Sequence, residues 1–115
     1  MQKNNEYDVV VPASVTLVDM EGYLVGSDGV KLSTTGEVAH GVVYEGFAAL
    51  EASVVVTRGR TTAKVDGSAN NIAVDDFLTG DSVGKFIKAT IGTHHVRGYA
   101  LEAVTTDTDA DVWLF

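Results

Sequence analysis

Short runs in which every second side chain is apolar, each ended by a turn signal, constrain this chain more than any other feature. The clearest run extends from Lys85 to Ile91, and its odd-numbered apolar side chains are expected on the core face of a strand. Residues 92–95, Gly-Thr-His-His, interrupt the pattern as a turn would. An extended pattern resumes over residues 96–104, and Gly98 inside it indicates a bulge or a close backbone approach.

The longest strand is predicted from Glu51 to Val65. Its apolar side chains occupy even positions before Gly59 and odd positions after it, and such a change of parity requires one extra residue, a β-bulge. A tight hairpin at Gly59 is the alternative. Phe77 and Leu78 are expected to pack inward. The last strand, residues 111–115, is apolar on both faces, which places it centrally in a sheet or under another subunit.

These runs predict an all-β fold, and a small barrel or a sandwich of short antiparallel strands both fit. The chain has 115 residues with 12 glycines and one proline, and it shows no convincing amphipathic helix. We expect a single β domain over residues 7–115, preceded by a flexible N-terminal arm, residues 1–6, that frays or becomes ordered on a neighbouring surface. Gly41–Glu45 echoes Gly98–Glu102; a true duplication would give two similar β-units closing one core.

Charge and composition exclude several classes of function. Sixteen acidic residues against 8 basic ones give a net charge of −8, which disfavours nucleic-acid binding. No cysteine is present for a disulfide or a thiolate zinc site, and no apolar run is long enough to span a bilayer. Six basic residues fall in the strands of the second half of the chain, either on solvated strand faces that balance nearby acids or on a basic face that meets an acidic partner or a neighbouring subunit. They are Arg58, Arg60, Lys64, Lys85, Lys88 and Arg97.

No set of residues predicts a catalytic or metal site. His94 and His95 are adjacent, so on a strand they would point to opposite faces, and we interpret them as turn histidines. The alternating aspartates of residues 107–111 lack the glycine and the final glutamate of a calcium loop and indicate an acidic hairpin tip. Asp75-Asp76 and Glu102 have no matched partner for acid–base chemistry. We therefore expect no enzyme activity, no metal and no cofactor.

From Gly41 onward, five motifs follow one another along the chain: Gly41–Gly46; the strand and turn from Val54 to Gly67; Ile72–Leu78; Gly84–Ala89; and Gly98–Ala103. In this order and spacing they resemble the small capsid cement, or head decoration, proteins of tailed bacteriophages. Apart from the strand and turn, the corresponding family motifs are "GVxxEG", "IAVGDxL" with glycine where this chain has Asp75, "GKxxKA" and "GxALEA". The short last strand to Phe115 also fits. The resemblance covers about two-thirds of the chain, and residues 1–30 lie outside it.

The resemblance implies a non-enzymatic protein that binds the outer surface of a phage shell, contacts the major capsid protein and itself as a homotrimer, and reinforces the virion. An N-terminal arm in such proteins often reaches across neighbouring shell subunits. The residues expected in capsid or subunit contacts are Met1, Gln2, Lys3, Asn4, Asn5, Tyr7, Arg58, Arg60, Trp113 and Phe115. The alternatives are a β-module that binds a small ligand or carbohydrate, suggested by Trp113 and the tyrosines, and a phage tail or baseplate domain.

Overall fold

The computed structural model describes residues 5–12, 20–26, 32–45 and 52–115, and these ranges contain eight strands and no helix. The strands are β1 (Asn5–Pro12), β2 (Leu24–Val25), β3 (Gly41–Glu45), β4 (Ala52–Asp66), β5 (Phe77–Gly80), β6 (Phe86–Lys88), β7 (Gly98–Ala100) and β8 (Asp107–Leu114). Among the described residues, nothing has the length and apolarity of a helix that crosses a membrane. The all-β prediction is confirmed.

Five strands close into a barrel in the order β4-β6-β5-β7-β8, and β8 returns to pair with β4. The pairs are antiparallel except β4 and β6, which run parallel where Val65 lies opposite Phe86. β1 and β3 pair with the first half of β4, and β2 pairs with β3, so these strands extend the sheet beyond the barrel. Of the two predicted architectures, the structure has the barrel.

β4 is continuous through both parts of the sheet, which confirms the bulge interpretation rather than the hairpin. Its pairing with β1 shifts register between Val56 and Gly59, and Thr57 has no partner in β1. Gly59 has a φ of 90°, a conformation that costs an L-residue with a Cβ about 1–2 kcal/mol. The β4 side chains in the main core cluster change parity across this point, from Val56 to Ala63 and Val65, while Val55 is buried in a second, smaller cluster. The bulge therefore lets one strand serve both the extension and the barrel.

One continuous core fills the barrel and reaches into the extension. Its fully buried side chains include Phe86, Leu78, Ile72 and Leu114 in the barrel and Leu24, Val42 and Val56 beside it. The predicted core face of residues 85–91 is wrong, because Phe86 points into the core and Ile91 is 66% exposed. The reason is that β6 has only three residues, so Ile91 falls in the turn that follows it.

The predicted strands on either side of the turn at residues 92–95 are not paired with each other, because β5 lies between β6 and β7. A Cβ on Gly98 would lie 2.1 Å from the Trp113 carbonyl oxygen, which confirms the predicted close backbone approach. β8 lies between β4 and β7, so of the two placements predicted for the last strand the structure has the central one. It begins at Asp107, so the acidic segment is part of a strand and the hairpin-tip prediction is wrong.

The N-terminal prediction is only partly covered by the described residues. β1 begins at Asn5, inside the range 1–6 assigned to the arm, and it pairs with β4 along its length. Met1, Gln2, Lys3 and Asn4 lie outside the described residues.

Candidate interaction surface

A row of aromatic side chains crosses the outer face of the barrel. The strand register places Phe77 of β5 opposite Tyr99 of β7, Tyr99 opposite Trp113 of β8, and Trp113 opposite Arg60 of β4. Side chains opposite each other on neighbouring strands share a face, so the four form one line across four strands. We call Phe77, Tyr99 and Trp113, together with the adjacent Phe115, the aromatic row.

The ring of Phe115 contacts two other rings of the aromatic row at an angle, and the row remains partly open to solvent. The Phe115 ring lies 6.1 Å from that of Phe77 and 5.8 Å from that of Tyr99, with interplanar angles of 55° and 44°. Phe77 is 47% exposed and Phe115 is 51% exposed, whereas Tyr99 and Trp113 are partly buried. Exposed aromatic side chains that form one contiguous patch are typical of protein interaction sites.

Three ion pairs continue the outer face of β8 beyond the aromatic row. Asp111 accepts a hydrogen bond from Arg60 at 2.7 Å, and Asp109 lies 2.9 Å from the Lys64 ammonium. Asp107, the third acid, lies 2.6 Å from the Lys85 ammonium. The alternating aspartates are therefore the outward half of a strand, and each is balanced by a cation. This confirms, for these three cations, the prediction of solvated strand faces that balance nearby acids.

The pKa shifts follow from these pairs. Hydrogen bonds from Arg60 and then Thr62 lower the pKa of Asp111. The hydrogen bond to Asp109 raises the pKa of Lys64, and the one to Asp107 raises the pKa of Lys85. Each shift favours the charged form, as expected for a group that gains an oppositely charged partner.

Arg97 departs from the predicted solvated face, because its guanidinium lies partly buried at the junction of three segments. Its Nε donates to the Ala39 carbonyl at 2.9 Å, and its Nη2 donates to the carbonyls of His40, at 2.8 Å, and of Thr57. Nη1 donates to the main-chain oxygen of Phe115. Burial lowers the pKa of Arg97. The side chain thus links the approach to β3, the bulge in β4 and the end of the aromatic row.

The structure brings together part of the predicted contact set. Arg60, Trp113 and Phe115 meet at one end of the aromatic row, and the exposed Arg58 lies two residues before Arg60 on β4. Asn5 and Tyr7 lie on β1, opposite Gly59 and Arg58, and their side chains are outside the described set. Met1, Gln2, Lys3 and Asn4 lie outside the described residues, so their predicted contacts stay predictions.

Sequence analysis missed Phe77 and Tyr99. Leu78 is buried as predicted, but Phe77 points outward, because neighbouring residues on β5 face opposite sides of the sheet. The signal was available: Phe77 and Leu78 could not both face the core of one strand.

Two of the acids and one of the histidines considered above as candidate site residues make hydrogen bonds within the fold. Asp76 Oδ2 accepts a hydrogen bond from the Ala73 amide at 2.8 Å, and Glu102 Oε2 accepts one from the Asp111 amide at 2.9 Å. His94 Nδ1 accepts one from the Thr90 amide at 3.0 Å within the predicted turn. Within the described ranges, no group of three or more His, Cys, Asp or Glu residues is placed to hold a metal ion.

A shallow open pocket of about 220 Å³ lies elsewhere on the described surface. Its lining consists of Glu21, Gly22, Val43, Tyr44, Thr61, Thr62, Ala63 and Asp109, and none of these belongs to the aromatic row. Tyr44 is its one aromatic lining residue, so the pocket offers no convergent aromatic wall for a ligand.

Comparison with protein-family models gives no match for this chain, and no curated protein matches it either. The case for a function therefore depends on the fold, the aromatic row and the motif resemblance.

Proposed function

We propose that this protein is a structural cement protein that binds the outer surface of a phage capsid through its barrel and stabilises the shell. Its partners would be the major capsid protein and further copies of itself in a homotrimer, and its place would be the outside of the virion. The observation that carries the proposal is the aromatic row, a contiguous apolar patch on the outer face of a closed barrel. Repeated by shell symmetry, even a weak contact at each copy gives strong attachment through multivalency.

The backbone supports the motif resemblance at the position where the sequence departs from it. Asp75 has a φ of 73°, and among the described residues it is the one non-glycine residue with a positive φ. Glycine adopts this conformation most readily, and glycine is usual at this place in the cement-protein motif. Gly41 and Gly98, which open two other motifs, each lie where a Cβ would meet a carbonyl oxygen of the neighbouring strand, that of Val56 and Trp113 respectively. The motifs therefore match the backbone requirements of this barrel.

The geometry of the aromatic row weighs against the carbohydrate-binding alternative. A flat platform for a sugar face would need these rings to be nearly parallel to one another, whereas Phe77 and Tyr99 are tilted by 55° and 44° relative to Phe115. The shallow pocket beside Tyr44 is separate from these rings. A phage tail or baseplate domain would use the same fold, and it differs from the proposal only in partner.

The test is co-sedimentation of the purified protein with expanded phage shells that lack it, followed by heating of the loaded shells. We expect the protein to pellet with the shells and to raise the temperature at which they break. Absence of both effects would refute the proposal. Labelled protein found on tails and not on heads would favour the tail or baseplate alternative.

A further inference from the structure

The aromatic row has a shape that suits protein side chains. Rings tilted against each other by 44° and 55° present edges as well as faces, and Phe77 and Phe115 are each about half exposed, so aliphatic side chains can pack on this uneven surface better than a flat ring can. The row runs across β5, β7 and β8, perpendicular to the strands, so a segment lying along it would contact each strand once.

The charge beside the row is opposite to that of the whole chain. The net charge is −8, yet the Trp113–Phe115 end of the row is flanked by Arg60, Arg58 and Arg97. Arg60 is paired with Asp111, but among the described side chains no carboxylate pairs with Arg58 or Arg97. Arg58 is exposed on β4. This end of the row is therefore complementary to a carboxylate.

The size and charge of the row argue against a second copy of the chain as its occupant. With Phe77 and Phe115 about half exposed and Tyr99 and Trp113 partly buried, side chains of 150–250 Å² each leave roughly 200–400 Å² of the row exposed. A stable pair of free proteins buries about 800 Å² on each partner, whereas a contact repeated over a shell can be smaller because many copies bind together. A two-fold contact of the row with itself would also place Arg58 near the Arg58 of the other copy, and like charges repel.

We propose that the aromatic row binds an extended segment of the shell protein that carries aliphatic side chains followed by a carboxylate. The aliphatic side chains pack on the exposed surfaces of Phe77 and Phe115, and the carboxylate meets Arg58. This inference rests on the proposed function, since it specifies the chemistry of the partner at the surface through which the barrel binds.

The experiment compares variants in the same co-sedimentation with expanded shells. Phe77→Ser and Phe115→Ser remove the exposed rings of the row. Val38→Ser and Ile91→Ser are the matched controls, because Val38 and Ile91 are 64% and 66% exposed, more than Phe77 and Phe115, and lie outside the row. We expect each row variant to lose at least tenfold in affinity and each control to retain it. Circular dichroism checks that every variant is folded.

Charge is tested with a second matched pair on β4. Arg58→Gln removes the open cation beside the row, and Lys64→Gln removes a cation of the ion pairs. We expect Arg58→Gln to weaken binding about tenfold and to reduce the dependence of the affinity on salt. Lys64→Gln should keep nearly the affinity and the salt dependence of the wild type.

The outcomes separate the two proposals. Wild-type protein that fails to bind shells refutes the proposed function. Wild-type binding with unchanged affinity of folded Phe77→Ser and Phe115→Ser refutes the inference and leaves the function standing. Equal losses in the row variants and the controls would indicate non-specific hydrophobic adhesion and would also refute it. If the row variants lose affinity for the shells and Arg58→Gln keeps wild-type affinity, the predicted contact with a carboxylate is refuted and the aliphatic contact is supported.

Discussion

At the scale of single residues, Asp75 holds a conformation that its side chain does not favour. Its φ is 73°, it is exposed, and its amide donates to the Ala100 carbonyl at 2.8 Å, a bond that any residue could make. Replacing Asp75 with glycine relieves this backbone strain, which is about 1–2 kcal/mol for a residue with a Cβ. Glycine also makes the unfolded chain more flexible, which offsets part of the gain in stability. We expect Asp75→Gly to raise the free energy of unfolding by about 0.5–1 kcal/mol in urea denaturation.

Asp75→Ala is the control for that change, because it removes the carboxylate and keeps the Cβ. We expect no gain from it. A gain equal to that of glycine would show that the carboxylate, rather than the backbone, is the source of the strain.

Substitution of Arg97 should lower stability strongly, because its side chain joins several segments of the chain. Its guanidinium donates to main-chain oxygens of Ala39, His40, Thr57 and Phe115, and a lysine ammonium cannot reach all of them with the fork geometry of arginine. Since a hydrogen bond from a charged group contributes about 1.5–3 kcal/mol, we expect Arg97→Lys to lower the free energy of unfolding by about 2–4 kcal/mol. Arg60→Lys, at the partly exposed pair with Asp111, should cost less than about 1 kcal/mol. Similar losses in the two variants would contradict this account.

At the scale of elements, the ion pairs between β4 and β8 make stability depend on pH. The pKa of Asp111 is lowered by Arg60 and Thr62, so its contribution is present above the unfolded-state value near 3.8 and is lost as the pH falls through the folded-state pKa. We expect the wild type to lose more stability than Asp111→Asn between pH 6 and pH 2.5. Urea denaturation at several pH values measures this. Parallel curves for the two proteins would show that Asp111 contributes nothing.

The pairing of β7 with β8 depends on a missing side chain. An alanine Cβ at position 98 would lie 2.1 Å from the Trp113 carbonyl oxygen, whereas at Gly92, with a φ of 88°, it would meet nothing within 4 Å. We expect Gly98→Ala to cost about 3 kcal/mol or more, because the two strands must separate. Gly92→Ala should cost about 1–2 kcal/mol from backbone strain alone. Equal costs in thermal unfolding would mean that the strands can shift to admit the methyl group.

The elements also show what the sequence could predict. The parity change around Gly59 located a real bulge, because alternation within one long strand is a local pattern. For β6 the buried face was predicted wrongly, because three residues are too few for alternation to identify it. In β8 the aspartates suggested a turn, although Asp107, Asp109 and Asp111 alternate with Ala110 and Val112 as an outward face should. The aromatic row could not be predicted, because it depends on the register of strands that are distant in sequence.

At the scale of the whole molecule, the barrel and its extension share both a strand and a core. β4 runs through both, and Leu24 and Val42 of the extension belong to the same buried cluster as Phe86 and Leu114 of the barrel. Strands joined in this way should unfold together, since neither part can expose its half of the core without disturbing the other.

Leu24→Ala tests that cooperativity. Leu24 is fully buried on β2, outside the barrel, and its truncation should cost about 2–4 kcal/mol. Trp113, the one tryptophan of the chain, lies on β8 and reports on the barrel by fluorescence. We expect Leu24→Ala to lower the urea midpoint of the Trp113 signal and of the far-ultraviolet circular dichroism by the same amount. Val38→Ala, at an exposed position near β3, should leave both within about 0.5 kcal/mol of the wild type. If circular dichroism shifted while the Trp113 transition stayed in place, the extension would unfold independently, and a contact made by the barrel would survive its loss.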